Sequence, residues 1–128
     1  MKLLVAIILL SAQALALTPL QAMTRAKAMA ASITGAEVLA VAHTGSMEPS
    51  IHERCLLVFE PVKFTALRKG DAVVFADPLS SGTMVHRLMR VTRKGWLTKG
   101  DNCATFDAGH VTEANLVGRV VAVVYFQP

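Results

Sequence analysis

The sequence is short of aromatic residues, of clustered charge and of cysteine, and beyond Ser32 it has no long amphipathic helical period. Each shortage excludes something. Phe, Trp and Tyr make up 5% of the chain and do not interleave with its 13 Lys and Arg, which are scattered, so the net charge of +4 does not form a nucleic-acid-binding stripe. It reads instead as a solvated surface, suited to lie near acidic lipid headgroups. Cys55 and Cys103 stand on separate segments, with no CxxC and no His at ligand spacing, which argues against a metal centre. In an oxidising compartment the two could pair, or each could fill a small apolar space. There are no repeats or low-complexity tracts, and 128 residues suffice for one compact domain but not two.

What the chain has in excess is apolar side chains, at 53% with a mean hydropathy of +0.47. Much of that excess sits at the start, where residues 3–20 carry no charge. One reading is a secretory signal, with Lys2, an apolar stretch from Leu3 to Leu10, and Ala14-Leu15-Ala16 as a small-residue cleavage site. The other is a retained anchor, because the uncharged run reaches Ala22 and is just long enough to span a bilayer as a helix, although Gln13 and Pro19 weaken it. Both place the remainder outside the cytoplasm, on the periplasmic or extracellular side, and the anchor keeps it at the membrane. The expected organisation is residues 1–22 as signal or anchor, 23–36 as an Ala-rich tether or short helix, and 37–128 as a β-rich domain. Within that domain Glu37 to His43, Cys55 to Glu60, Asp71 to Ala76, Thr83 to Arg93 and Leu116 to Phe126 read as strands, separated by turn residues such as Lys69-Gly70, Pro78 to Gly82 and Lys94-Gly95. The fold class is mostly β.

The stretch with chemical potential is Thr44-Gly45-Ser46-Met47-Glu48-Pro49-Ser50. Glycine before the serine and proline after it allow a sharp turn that presents a hydroxyl, although such a serine is also common in plain turns. As a nucleophile Ser46 needs a base within hydrogen-bond reach. In the longest strand, period-two alternation puts Met84, His86, Leu88 and Arg90 on one face, so His86 lies among apolar neighbours that favour a neutral imidazole. A buried structural histidine would look the same. His52 and His110 lie in polar, loop-like stretches, His43 is too close along the chain, and Lys63, Lys69, Lys94 and Lys99 all fall beside turns where they stay solvated. After the strand, Leu97 to Asp107 reads as a loop holding two carboxylates that could orient the imidazole, Asp101 and Asp107. Asp101 sits in a Gly-Asp-Asn turn, where nearby backbone N–H groups would use its carboxylate and leave it a supporting role.

Four stretches in one order carry a resemblance: Gly45-Ser46-Met47-Glu48-Pro49, Gly70-Asp71-Ala72-Val73-Val74-Phe75, Val85-His86-Arg87 and Thr98-Lys99-Gly100-Asp101-Asn102. Over residues 38–126 the chain resembles type I signal peptidases, in their Ser-His branch of archaea and the endoplasmic reticulum, and not the lysine-dependent bacterial enzymes or self-cleaving SOS repressors. The resemblance implies a fold of coiled antiparallel β-sheets after an apolar N-terminal helix. It implies Ser46 as nucleophile, His86 as base and Asp107 as third member, with the Thr44 hydroxyl joining the Ser46 N–H at the oxyanion. It also implies a membrane-bound endopeptidase, needing no metal or cofactor, that removes signal or leader peptides of exported preproteins after Ala-x-Ala sites. The chain departs from many relatives at Arg54-Cys55 and at Ala108-Gly109. A maturation protease dedicated to one or a few exported, pilus, conjugation or phage proteins, and a non-catalytic peptide-binding β-domain, are the alternatives; the apolar start disfavours a repressor.

Overall fold

In a computed structural model of the protein, the structure describes residues 16–128. The expected signal or anchor falls largely on residues 1–15 and lies outside the described residues. Helix α1 (Pro19–Ala31) crosses the expected boundary at residue 22. Its start follows from local chemistry: the Gln21 N–H donates to Thr18 Oγ1, Gln21 Oε1 accepts from the Thr18 N–H, and Pro19 supplies a pre-set φ in the first turn. Among the described residues no helix is long and apolar enough to cross a membrane.

The rest is mostly β, as the alternation implies. One antiparallel sheet of seven strands holds β1 (Glu37–Ala40), β2 (Cys55–Glu60), β3 (Ala72–Ala76), β4 (Thr83–Thr92), β5 (Gly95–Lys99), β6 (His110–Val111) and β7 (Leu116–Tyr125). Their spatial order is β1-β2-β7-β3-β4-β5-β6, so the last strand inserts between β2 and β3 and joins the two halves. Five strands fall where the sequence predicts them. Two were not foreseen: β5, read from Leu97 onward as loop, forms a hairpin with β4, and β6 adds two residues at the edge. A register shift between Leu88 and Arg90 breaks the alternation of β4, so Leu88 is buried and Arg90 is exposed.

Strand β2 is an unbroken apolar run because it is covered on both faces. On one face Leu56 and Val58 pack with Val124 against Ala22 and Ala26 of α1, small residues one helical turn apart that let the helix sit close. On the other, Cys55 and Leu57 pack beneath Met47 and Ile51, which flank Ser46. A third cluster, Leu67, Val73, Phe75, Leu88 and Val111, fills the β3-β4-β5 half. Both cysteines are free; burial pushes the Cys55 thiol upward, and its Sγ donates to the His52 carbonyl at 2.8 Å. The close seat of α1 makes a direct expectation. Ala26→Leu should overpack it and cost about 1–3 kcal/mol, seen as a lower urea midpoint at unchanged m-value; an unchanged midpoint would mean that the helix does not dock as described.

Candidate active site

Ser46 stands on a turn fixed from below. Gly45 has φ +70°, a left-handed conformation that a side chain disfavours, and the Glu48 N–H returns to the Gly45 carbonyl at 3.3 Å. Met47 and Ile51, each 3% exposed, anchor the turn in the core, so the half-buried Ser46 keeps a fixed direction.

His86 projects from β4, where it pairs with Val73 of β3 and lies edge-on to Phe75. It is 5% exposed. Its Nε2 is 3.2 Å from Ser46 Oγ, and its Nδ1 is 2.6 Å from Asp107 Oδ2. An ionised carboxylate only accepts, so Nδ1 carries the proton and the Nε2 lone pair faces the serine hydroxyl. Thr44 Oγ1 is 3.2 Å from Ser46 Oγ and accepts the Ser46 N–H at 3.4 Å, a long and weak contact. Ser46, His86, Asp107 and Thr44 are thus together in space.

The segment after β5 makes this possible by folding back across the serine turn. The Asn102 N–H donates to the Ser46 carbonyl at 2.9 Å, and Asn102 Nδ2 donates to the Gly45 carbonyl at 3.0 Å. Gly100 fits where little else would: a Cβ there would meet the Ser46 carbonyl oxygen at 2.5 Å, Cys103 Sγ at 2.6 Å and His86 Nε2 at 3.1 Å. Asp107 then returns to β5, its N–H donating to the Thr98 carbonyl at 2.9 Å and its Oδ2 accepting from Thr98 Oγ1 at 2.6 Å.

Asp101 differs from its expectation. Its carboxylate takes a fork from Arg87, with Nε and Nη2 each at 2.8 Å, while Arg87 Nη1 donates to the Gly70 carbonyl at 2.8 Å. Turn chemistry alone could not foresee this, because Arg87 is brought alongside by its pairing with Lys99 across the unforeseen β4-β5 hairpin. The Arg87 hydrogen bonds hold the Asp101 carboxyl below the usual carboxylate range and raise the guanidinium in turn. Elsewhere His43 faces Glu53 at 3.2 Å, His52 lies against the Tyr125 ring, and Lys99 Nζ reaches the Gly100 carbonyl at 3.3 Å. Residues that sequence reasoning passed over are Arg87, Thr98, Gly100 and Asn102 in their supporting roles. Their only signal was membership of the motif stretches.

A cavity of about 340 Å³ opens beside the serine, lined by Leu39 to Ala42, Met47, Ile51 and Thr83 to His86. Its walls are two strand margins: β1 is a sheet edge, and the pairing of β4 with β5 begins only at Arg87. Among the described residues no group of three or more His, Cys, Asp and Glu could hold a metal ion.

Comparison with known proteins finds relatives among signal peptidases. The chain is 35% identical over 78 residues to Signal peptidase I W of Bacillus subtilis (strain 168), covering 57% of this chain and 40% of that protein. It is 36% identical over 83 residues to the human Signal peptidase complex catalytic subunit SEC11C, covering 60% and 43%. It is 35% identical over 82 residues to the human Putative signal peptidase complex catalytic subunit SEC11B, covering 60% and 49%. The chain is similar to type I signal peptidases. The likeness is of modest identity and spans less than half the length of each of these signal peptidases. No family model matches the chain.

The Arg87–Asp101 fork gives a pH dependence of known sign. A carboxyl depressed by folding adds stability above its unfolded value, about 3.9, and loses it as pH falls through the lower folded value. Asp101→Asn should therefore lower the thermal midpoint at pH 7 by an effect of about 1 kcal/mol or less, since the pair is partly solvated. The difference should shrink below pH 4, and a gap that stays constant down to pH 2 would contradict the assignment.

Proposed function

We propose that the chain is a serine endopeptidase that removes signal or leader peptides from exported preproteins after small residues, at Ala-x-Ala type sites, on the outer side of a membrane. The observation that carries the reading is the continuous line from Asp107 Oδ2 to His86 Nδ1 and from His86 Nε2 to Ser46 Oγ, at 2.6 and 3.2 Å, beside an apolar groove. Similarity to a bacterial signal peptidase and to a human signal peptidase complex catalytic subunit supports the substrate class.

In this reading Ser46 Oγ attacks the scissile carbonyl while His86 Nε2 takes its proton. The contact at 3.2 Å is on the long side and shortens when substrate excludes water. Negative charge develops on the carbonyl oxygen, which displaces the weak contact between the Ser46 N–H and Thr44 Oγ1 and accepts from both donors. The imidazolium, held by Asp107, then protonates the leaving amine. A water activated by the same imidazole hydrolyses the acyl-enzyme and frees Ser46. None of these steps calls on a metal or cofactor.

The groove suits an extended peptide that adds as a strand against Leu39 to Ala42 and Thr83 to His86, placing alternate side chains toward Met47, Ile51 and Met84. Such walls leave room for small side chains on the acyl side of the cut. The scattered positive charge favours acidic lipid over nucleic acid.

The test is cleavage of a peptide bearing an Ala-x-Ala site. Ser46→Ala should abolish it with the fold intact. Thr44→Val should lower kcat by roughly 10²-fold, and Asp107→Asn by roughly 10³- to 10⁴-fold with little loss of stability. Cleavage confined to one natural leader would point to a dedicated maturation protease, and tight binding without turnover to a peptide-binding domain. Undiminished turnover by Ser46→Ala would refute the mechanism.

A further inference from the structure

Thr98 is fully buried in β5, directly across from Leu88 of β4 and diagonal to His86 on the same face. An apolar β-branched side chain of the same shape would suit that position, so a buried hydroxyl there needs a partner. The partner is Asp107, whose Oδ2 accepts both Thr98 Oγ1 at 2.6 Å and His86 Nδ1 at 2.6 Å. The Asp107 N–H also donates to the Thr98 carbonyl at 2.9 Å, so Thr98 holds this aspartate by main chain and side chain together.

We propose that the Thr98 hydroxyl is a positioning device for the reaction, fixing the rotation of the Asp107 carboxylate so that the oxygen facing Nδ1 stays in the plane of the imidazole. This rests on the reading of Ser46, His86 and Asp107 as the reacting set. A carboxylate on a mobile loop can turn about its last bond, and a hydrogen bond to the imidazole alone does not stop it. A second donor on the same oxygen, delivered from a rigid strand, removes that freedom before substrate arrives. Thr98 does not line the groove, so its contribution falls on turnover and not on peptide binding.

The experiment measures kcat and KM on the Ala-x-Ala peptide for the full chain and for Thr98→Ser, Thr98→Ala and Thr98→Val. Thr98→Ser should retain kcat within about twofold, whereas Thr98→Ala and Thr98→Val should lose roughly 10- to 100-fold in kcat, the range of a hydrogen bond to a charged group, with KM unchanged. In an Asp107→Asn background Thr98→Ala should cost little more, because the two act as one unit. Should Thr98→Val fail to fold, the Ser and Ala variants still differ only in the hydroxyl. Equal kcat in those two, or an undiminished extra loss in the Asp107→Asn background, overturns the positioning role while the triad stands. Full cleavage by Ser46→Ala overturns the triad and this role with it.

Discussion

The hydrogen bond from the Asn102 main-chain N–H to the Ser46 carbonyl is the contact on which the site depends, because it joins segments that reach the groove from opposite halves of the sheet. The serine turn belongs to the β1-β2 side, and the imidazole and carboxylate come from β4 and the chain beyond β5. Without a tie between them, the distance between Ser46 Oγ and His86 Nε2 would vary with every movement of a loop. Asn102 supplies two bonds, to Gly45 and Ser46, and Gly100 leaves room for the approach. Reaction geometry tolerates about half an ångström of error, and bonds to the backbone of the proposed nucleophile hold it most directly.

A second layer keeps that loop in place. Arg87 follows His86 on β4, so its side chain points to the opposite face of the strand, where it links Gly70 before β3 with Asp101 in the loop. The ion pair is partly solvated, and its worth lies in geometry more than in energy. One strand thereby places the proposed base on one face and the brace for the loop on the other. Deeper stability comes from the apolar clusters on the two faces of β2, one under α1 and one under the serine turn.

Much of this was legible in the sequence. Alternation located five strands, the Gly-Ser-Met-Glu-Pro turn singled out Ser46, and the apolar setting of His86 is borne out by its burial. The geometry also favours Asp107 over Asp101 as the partner of His86, since Asp101 is engaged by Arg87. What escaped was non-local. β5 looked like loop because a five-residue strand beside a glycine-rich turn has a weak period, and without β5 neither the Arg87–Asp101 fork nor the Thr98–Asp107 bond has a cause. The helix was expected from Met23, and only its start escaped, for a local reason: Pro19, taken as a weakness in a membrane span, is a favoured first residue for a capped helix.

The central claim is that His86 activates Ser46, and covalent labelling tests it without any assumption about the natural substrate. The folded protein is treated with a serine-directed acylating reagent, and the modified residue is located by mass spectrometry of its peptides. The account predicts a single adduct on Ser46 in the parent and a loss of most of that labelling in His86→Ala at unchanged fold. Equal labelling of Ser46 in the two proteins, or none in the folded parent, would contradict it.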